Sequence, residues 1–389
     1  MNEINKWMNQ YVRSGKLSGA QLLIAQKGEV KHSAYTGTAD REAGRQWQED
    51  TIVRIYSMTK PITTVALMQL YERRLVDLDD PVEKFIPSLK DMQVLRPDAK
   101  KITDTRPAAV KPTLRHLLTH TAGFTYGFNP GILAAAYMEC GINFAHLQNS
   151  LAEEIDKLSK LPLQFTPGTR WNYGVSTDVA GRVVEVVSGQ ALDQYFADNI
   201  LAPLSMKDTS FCLPAEKLSR FASLYGPDSQ GGLEVMERAD ESIFLDQNMK
   251  GYSGGGGLLS TTQDYFHFAE MLRKKGECRG HRLLQEETVD LMMQNHLPGD
   301  LAAVGEPVFA EVPFAGVGFG FGGWSMIDPD TAGVKGSKGD FGWGGRASTV
   351  FWIDPTLDLT VIFMTQLKPS NIYPLRSEFR EIVHKYFSN

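Results

Sequence analysis

The sequence predicts an α/β fold of the α+β kind: an antiparallel sheet flanked by helices, with a helical domain inserted into it. Near each end of the chain, two strand-like runs flank a turn signal and form a predicted hairpin. Strands from both chain ends, together with a terminal helix, favour one sheet with helices on its faces. The segments are 21–26 and 29–35 for the first hairpin, 347–353 and 359–364 for the second, and 374–387 for the helix.

The middle of the chain predicts a second domain. From Tyr71 to about Trp171 the sequence is rich in helical segments and is interrupted by prolines that favour turns. We therefore expect a sheet domain built from residues 1–72 and 175–389 and a helical domain of residues 73–174. The binding cleft is expected at the junction of the two domains, where pockets often form.

The composition is that of a globular protein with an ample core. The chain has 389 residues, 42% of them hydrophobic, and a formal net charge of −6 from 40 basic and 46 acidic residues. Because the two signs are interspersed and no basic run occurs, nucleic acid is not an expected partner. No apolar run approaches the ~18 residues that a membrane span needs. The sequence leaves the oligomeric state open.

The first residues and the cysteines indicate a cytoplasmic protein. Residues 1–17 contain no apolar core of a secretion signal, and their apolar residues recur at helical spacing, which predicts an ordinary amphipathic helix. Cys140, Cys212 and Cys278 are scattered and odd in number. We therefore expect buried, reduced thiols rather than disulfides.

The most informative motif is Ser57-Met58-Thr59-Lys60, at the start of a predicted apolar helix. Residues at i and i+3 lie on one face of a helix, so the hydroxyl and the amine can meet at one reacting atom. A serine becomes a strong nucleophile when a neighbouring base takes its proton, and a neutral lysine can be that base. The four-residue pattern alone is common, and a chance occurrence on a helix surface is the alternative.

Two later segments carry further candidate residues. Tyr173, in a loop after a turn signal, can relay a proton beside a lysine of similar intrinsic pKa. Trp343-Gly344-Gly345-Arg346 precedes a β-rich run, and paired glycines that open a strand let a substrate carbonyl approach the backbone closely. Their structural alternatives are a packing tyrosine and a simple β-bulge.

In this order and spacing, the three segments resemble the serine β-lactamase and penicillin-binding protein superfamily, which carries S-x-x-K and K-T-G signatures. The resemblance covers nearly the whole chain. It is strongest to the class C-like branch that contains the family VIII carboxylesterases and related acyltransferases. Residues 114–123 (LRHLLTHTAG) are similar to the LLTHTSG segment of that branch, and residues 254–261 (GGGGLLST) to its glycine-rich stretch. The implied fold is serine β-lactamase/transpeptidase-like.

Residue by residue, the resemblance implies that Ser57 is the nucleophile and that Lys60 and Tyr173 handle its proton. It also implies an oxyanion hole formed by the backbone N–H groups of Ser57 and Arg346, each such donor being worth about 3–4 kcal/mol. Acyl transfer of this kind calls for no cofactor and no metal. The resemblance leaves open whether Lys60 or Tyr173 is the formal base.

Two departures from the superfamily pattern bear on the substrate. Val175 stands where the motif Y-x-N usually carries an asparagine that touches the amide side chain of a β-lactam. Trp343-Gly344-Gly345 replaces K-T-G, so an aromatic wall replaces the lysine that pairs with a substrate carboxylate. Both changes favour neutral esters, whereas the cation of Arg346 would restore a partner for a carboxylate.

The expected function is hydrolysis of short-chain carboxylic esters, as small-molecule substrates, through a Ser57 acyl-enzyme, with weak promiscuous hydrolysis of β-lactams. The alternatives are an acyltransferase acting on an alcohol acceptor and a β-lactamase or D-Ala-D-Ala peptidase. A non-catalytic binding protein is disfavoured because Ser57, Lys60 and Tyr173 are all present. The physiological substrate, its acyl-chain length and the enantioselectivity are left open.

The sequence also contains a rival serine. Residues 251–255 (GYSGG) satisfy G-x-S-x-G around Ser253, and Asp358 and His384 follow in the order of an α/β-hydrolase triad. No apolar strand precedes this motif, and His384 falls within the predicted terminal helix. A flexible glycine loop beside the pocket is therefore the favoured interpretation.

Two further patterns are interpreted as structural. His116 and His120 have the i, i+4 spacing of zinc ligands but lack the glutamate of H-E-x-x-H, so we expect capping and packing at a helix end. Residues 318–323 (GFGFGG) imitate a dinucleotide-binding fingerprint. They alternate with aromatics like a strand and open no helix, so we expect no cofactor there.

Overall fold

Strands dominate both ends of the chain in the computed structural model, which describes residues 1–142, 144, 149–305 and 313–388. In chain order the strands are β1 (Gly19–Gln26), β2 (Glu29–Asp40), β3 (Arg45–Gln46), β4 (Val53–Arg54), β5 (Gln93–Leu95), β6 (Thr105–Pro107), β7 (Leu224–Pro227), β8 (Leu233–Glu237), β9 (Leu259–Ser260), β10 (Glu277–Cys278), β11 (His281–Arg282), β12 (Val317–Phe319), β13 (Trp324–Met326), β14 (Phe341–Gly344), β15 (Val350–Asp354) and β16 (Leu359–Thr365).

One eight-stranded antiparallel sheet carries the fold, in the order β12-β13-β14-β15-β16-β1-β2-β3. The predicted hairpins are β1–β2 and β15–β16, and they pair with each other in the middle of the sheet. Ala20 lies opposite Thr365 and Gln26 opposite Leu359, so the two ends of the chain form neighbouring strands. The prediction of an antiparallel sheet built from strands of both chain ends is therefore confirmed, and the pairs β4-β9, β5-β6, β7-β8 and β10-β11 form small two-stranded sheets outside it.

Twelve α-helices accompany the strands in the described part of the chain. None of these helices combines the length and apolarity that crossing a bilayer requires. They are α1 (Asn2–Arg13), α2 (Thr59–Glu72), α3 (Leu114–Leu118), α4 (Ile132–Glu139), α5 (Leu151–Leu158), α6 (Ser176–Ser188), α7 (Leu192–Phe196), α8 (Thr262–Arg273), α9 (Glu286–Met293), α10 (Leu301–Val304), α11 (Pro329–Ala332) and α12 (Leu375–Phe387).

Helices cover both faces of the sheet where its strands β14, β15, β16 and β1 are buried on both sides. Successive side chains of a strand point to opposite faces. In β15, Trp352 packs against Phe379 of α12 with ring centroids 5.5 Å apart, whereas Phe351 packs against Tyr265 of α8 at 4.9 Å. The predicted amphipathic helix at the start of the chain, α1, lies beside α12, where Trp7 stacks on Phe379 at 5.2 Å.

The middle of the chain is less helical than predicted. The described residues between 73 and 174 form three short α-helices, α3, α4 and α5, but also the hairpin β5–β6 and long loops. The prolines of this stretch all lie outside these three helices, since a proline inside a helix removes a backbone hydrogen bond. Residues 143 and 145–148 of the predicted helical domain lie outside the described part of the chain. The division into 1–72 with 175–389 and 73–174 stays a prediction.

The cysteines differ from the expectation of three buried thiols. All three are free, but Cys140 is exposed and Cys212 half-buried, and Cys278 alone is buried. Cys140 directly follows α4, where the chain turns through Gly141 at a φ of 65°. Cys140 is exposed at this helix end, so its thiol is accessible to solvent.

Candidate active site

Ser57 lies in a 3₁₀ turn, Tyr56–Met58, that leads directly into α2. Tyr56 has a φ of 42°, a left-handed conformation that bulky residues rarely adopt. Backbone strain of this kind concentrates at functional sites, where the surrounding structure holds it in place. The turn presents the half-buried Ser57 side chain to a cavity.

Lys60 lies in the first turn of α2 with its side chain fully buried. Its Nζ donates hydrogen bonds to Ser57 Oγ at 3.2 Å, to Tyr126 Oη at 2.9 Å and to the Gly255 carbonyl at 2.7 Å. Burial lowers the pKa of Lys60 to about 7, and the charge of Asp178 acts in the opposite direction. A large share of the amine is therefore uncharged near neutral pH.

Tyr173 reaches the same hydroxyl from the loop that precedes α6. Its Oη donates to Ser57 Oγ at 2.7 Å and accepts from Trp343 Nε1 at 3.3 Å. Burial raises the pKa of Tyr173 to about 12, although the hydrogen bonds with Ser57 and Trp343 oppose the rise. The phenol therefore keeps its proton at neutral pH. The structure thus brings Ser57, Lys60 and Tyr173 together around one oxygen atom.

Sequence reasoning missed Tyr126. It lies three residues after the segment 114–123 and offers its Oη to Lys60, 66 residues earlier in the chain. Its ring stacks on Phe128 with centroids 4.8 Å apart, and burial raises its pKa well above the ordinary phenol value. The position of a tyrosine next to that segment is the one signal that the sequence offered.

A cavity of about 670 Å³ opens above Ser57. Trp343, Gly344 and Val175, predicted to bind substrate, line this cavity together with Arg346. The remainder of the wall is largely aromatic and aliphatic, which suits an apolar ligand. These other residues include Tyr126, Phe128, Met138, Ile142 and Phe144.

Gly345 does not line the cavity, in contrast to its neighbours. Its N–H donates to Thr349 O at 2.9 Å and its carbonyl accepts from Arg376 at 2.8 Å. A Cβ on residue 345 would lie 2.4 Å from the carbonyl oxygen of Ile55, which precedes the Ser57 turn, so position 345 requires a glycine.

The expectation that the paired glycines open a strand is wrong. Gly344 ends β14, and a turn through Ser348 (φ 65°) separates it from β15.

Arg346 follows in that turn with an exposed side chain. Its guanidinium lies over the ring of Phe128, 4.8 Å from the centroid, a cation–π contact at the mouth of the cavity. Among the described residues, the Arg346 N–H has no acceptor. The N–H is therefore available to a substrate oxygen.

The rival serine, Ser253, lies beside this cavity but lacks a triad. Its Oγ donates to Asp178 Oδ1 at 2.6 Å. Asp358 pairs instead with Arg273, and His384 Nδ1 bonds at 2.5 Å to Oγ of Ser388, the residue that caps the end of α12. Ser253 is thus a donor to a buried carboxylate that sequence reasoning also missed.

The two histidines occupy structural positions. His116 Nδ1 accepts from the Thr113 N–H at 3.2 Å and closes a capping box at the start of α3. His120 packs against Tyr173 with ring centroids 5.0 Å apart, and burial holds its pKa well below the usual imidazole value. The described residues contain no group of His, Cys, Asp and Glu arranged to hold a metal ion.

The glycine-aromatic stretch 318–323 forms β12 and the turn into β13. The alternation with aromatics indicated a strand, and β12 is one; its hairpin with β13 was not predicted. No helix begins at these glycines.

The fold and the arrangement of Ser57, Lys60 and Tyr173 are those expected of a serine hydrolase built on an antiparallel sheet of this kind. The Beta-lactamase family model matches residues 4–381. Esterase EstB of Burkholderia gladioli is 31% identical, with 97% of this chain and 93% of EstB covered. The monacolin J acid methylbutanoyltransferase of Aspergillus terreus is 33% identical, with coverage of 97% and 93%. The structure of EstCE1, a hydrolase with promiscuous acyltransferase activity, superposes with a TM-score of 0.83 at 26% identity over 98% of both chains.

The chain therefore belongs to the beta-lactamase family, on the branch of the family VIII-like esterases.

Proposed function

We propose that the protein hydrolyses short-chain carboxylic esters through an acyl-enzyme on Ser57. The observation that carries this proposal is the convergence of Lys60 Nζ, at 3.2 Å, and Tyr173 Oη, at 2.7 Å, on Ser57 Oγ. Two proton-handling groups on one hydroxyl are what a serine nucleophile needs. EstB, a relative of similar length, is an esterase.

In the first half of the reaction, the uncharged amine of Lys60 accepts the proton of Ser57 as Oγ bonds to the ester carbonyl carbon. The carbonyl oxygen becomes an oxyanion, held by the backbone N–H groups of Ser57 and Arg346. The C–O bond to the alcohol then breaks, and the alkoxide leaves with a proton that Tyr173 and Lys60 return. The product of this half is a Ser57 ester and a free alcohol.

In the second half, water replaces the alcohol. The Lys60 and Tyr173 pair takes a proton from the water as its oxygen attacks the acyl carbon. The bond to Ser57 Oγ breaks, Ser57 regains a proton, and the carboxylic acid leaves. Only protons and an acyl group move, so the residues of this chain suffice for the chemistry.

The cavity favours neutral, apolar esters. Trp343 and Val175 line it at the positions where the β-lactamase pattern carries a lysine and an asparagine. A carboxylate that enters a cavity with such a wall loses its hydration and gains few hydrogen bonds or ion pairs to replace it. Arg346, exposed at the mouth, is the one cation among the described lining residues.

An acyltransferase is the second candidate, favoured by the size of the cavity. A volume of about 670 Å³ exceeds the needs of a short acyl chain and leaves room for an acceptor alcohol. If the acceptor displaces water from the acyl-enzyme, the same residues pass the acyl group on. The Aspergillus terreus relative is a methylbutanoyltransferase and EstCE1 has promiscuous acyltransferase activity.

A panel of p-nitrophenyl esters, run beside nitrocefin and with competing alcohols, tests the proposal. We expect the fastest turnover on acetate to butyrate esters, loss of turnover in Ser57→Ala, and slow turnover of nitrocefin. Ester products that depend on added alcohol would establish the acyltransferase instead. Nitrocefin turnover faster than that of every ester would reject the esterase.

A further inference from the structure

Asp178 lies in the wall of the cavity, and the mechanism above gives it no role. It occupies the first turn of α6, five residues after Tyr173, and its side chain is fully buried. Oδ1 accepts hydrogen bonds from Ser253 Oγ at 2.6 Å and from the Gly255 N–H at 2.9 Å. Oδ2 has no hydrogen-bond partner among the described residues. A buried, half-paired carboxylate is costly unless a cation lies close to it.

The glycine loop connects this carboxylate to Lys60. Gly255 donates its N–H to Asp178 and offers its carbonyl to Lys60 Nζ at 2.7 Å. One turn further along α2, Thr63 Oγ1 donates to the Gly254 carbonyl at 2.6 Å. The loop is therefore hydrogen-bonded to α6 on one side and to α2 on the other. The Gly255 carbonyl fixes the direction in which the Lys60 amine points.

The close approach depends on glycine at position 255. A Cβ there would lie 2.4 Å from Asp178 Oδ2, which is less than any real Cβ contact allows. A Cβ at Gly254 would likewise lie 2.8 Å from Thr177 O. The segment 253–255 is thereby explained: Gly254 and Gly255 let the backbone pass close to α6, and Ser253 donates to the carboxylate.

We propose that Asp178 is a positioning residue for Lys60, which fixes the amine through Ser253 and Gly255 and supplies the negative charge that balances the proton taken from Ser57. This inference rests on the acyl-enzyme mechanism proposed above. Asp178 acts through Lys60 and does not touch the reacting atoms.

The other titratable groups around Lys60 are uncharged near neutral pH. Burial raises the pKa of Tyr126 and of Tyr173, and burial lowers the pKa of His120. Burial also raises the pKa of Asp178, against the opposing effects of Lys60, Ser253 and Gly255. Asp178 is thus the carboxylate that keeps the pKa of Lys60 from falling further. Removing its charge lowers the pKa of the amine.

The test is the pH dependence of the rate at which a fluorophosphonate labels Ser57. Labelling needs the uncharged amine, so the rate rises with pH along a limb set by the pKa of Lys60. Asp178→Asn keeps an oxygen that accepts from Gly255 but removes the charge. We expect the limb to move to lower pH by about one unit. The plateau rate should also fall, because the ammonium that forms lacks its counter-charge.

Two further variants make the test decisive. Ser253→Ala removes one donor to the carboxylate and should move the limb in the same direction by a smaller amount. Asp264→Asn, at a buried aspartate of α8 that accepts from Thr209 Oγ1 at 2.9 Å outside the cavity, is the matched control and should leave the limb in place. Thermal melting of each variant establishes that it is folded.

An unmoved limb in folded Asp178→Asn overturns the proposal, because a purely structural role changes the rate or the melting temperature and not the limb. If Asp178→Asn does not fold, an unmoved limb in Ser253→Ala overturns it. Wild-type protein that is labelled at Ser57 but hydrolyses no ester contradicts the proposed function alone. Wild-type protein that is not labelled at Ser57 contradicts both.

Discussion

Tyr173 Oη lies 2.7 Å from Ser57 Oγ, although the two residues are 116 positions apart in the sequence. Hydrogen bonds other than this contact hold the backbone around Tyr173 in place. Asn129 Nδ2 donates to the Tyr173 carbonyl at 2.8 Å, and the Gly174 N–H donates to His120 Nδ1 at 3.4 Å. The phenol is therefore in place before any substrate arrives, so the site does not need to reorganise to begin the reaction.

Exchange of each serine distinguishes the two nucleophile hypotheses. We expect Ser57→Ala to abolish turnover of p-nitrophenyl butyrate, because no other hydroxyl is approached by both Lys60 and Tyr173 among the described residues. Ser253→Ala should keep at least about a tenth of kcat, since it loses one of two hydrogen bonds to Asp178. Steady-state kinetics on both variants decide the matter, and an inactive Ser253→Ala beside an active Ser57→Ala would refute the assignment.

Lys60 and Tyr173 should behave as one unit. Lys60→Ala and Tyr173→Phe should each lower kcat by several orders of magnitude, since each removes a group that moves the Ser57 proton. The double variant should be little worse than either single one, because residues that act together are not additive. Circular dichroism serves as the folding control. Losses that add up in the double variant would show that the two residues serve separate steps.

The pH profile should follow the Lys60 amine. Its pKa lies at about 7 and the reactive form is the uncharged one, so kcat/KM should rise with pH through that region and then level off. Tyr173, with a pKa of about 12, stays protonated throughout and adds no second limb near neutrality. Measuring p-nitrophenyl butyrate hydrolysis from about pH 5 to pH 9, corrected for spontaneous hydrolysis, tests this. A profile without a rise across this range would point to a different base.

Short-chain esters should be better substrates than penicillins. Trp343 lines the cavity at the position where the β-lactamase pattern carries a carboxylate-pairing lysine, and an unpaired carboxylate there costs at least a few kcal/mol. This cost corresponds to a preference of about two or more orders of magnitude in kcat/KM. The measurement compares p-nitrophenyl butyrate with ampicillin, and equal efficiency on the two would reject the preference.

Arg346→Ala is the companion variant for this comparison. The exposed guanidinium over Phe128 is the cation of the cavity that can meet an incoming carboxylate. If it does, the variant should lose ampicillin turnover while the butyrate ester is hydrolysed at a near wild-type rate, because the proposed oxyanion donor is the backbone N–H that alanine retains. A loss of both activities would place the side chain in the chemistry common to both substrates.

The sequence was sufficient to predict those parts of the fold and the site that depend on residues close together in the chain. The spacing of Ser57 and Lys60 is one helical turn, and both halves of each hairpin lie within a few residues of their turn signal. Such arrangements depend on backbone geometry that a short segment determines by itself. The tyrosine of the site was identified through resemblance, since nothing near Tyr173 specifies its distant partner.

The sequence was insufficient to predict the role of a residue whose contacts come from a distant part of the chain. Tyr126 and Asp178 are ordinary residues of a loop and a helix until α2 brings Lys60 to them. The glycines at 344 and 345 were assigned to the wrong end of a strand, because the tight turn at Ser348 leaves no distinct signal in the sequence. Burial and partner identity are products of the tertiary fold, and single residues do not encode them.

The pairing of β1 with β16 constrains how this chain can fold during synthesis. β1 is complete once residue 26 has been made, but its partner on one side ends at Thr365. The middle of the sheet therefore cannot close until the residues of β16, 359–365, have been made. Contacts of such long sequence separation slow folding and leave strand edges exposed in the meantime. Elongation that pauses before the last strands would leave the apolar β1 open to aggregation on the ribosome.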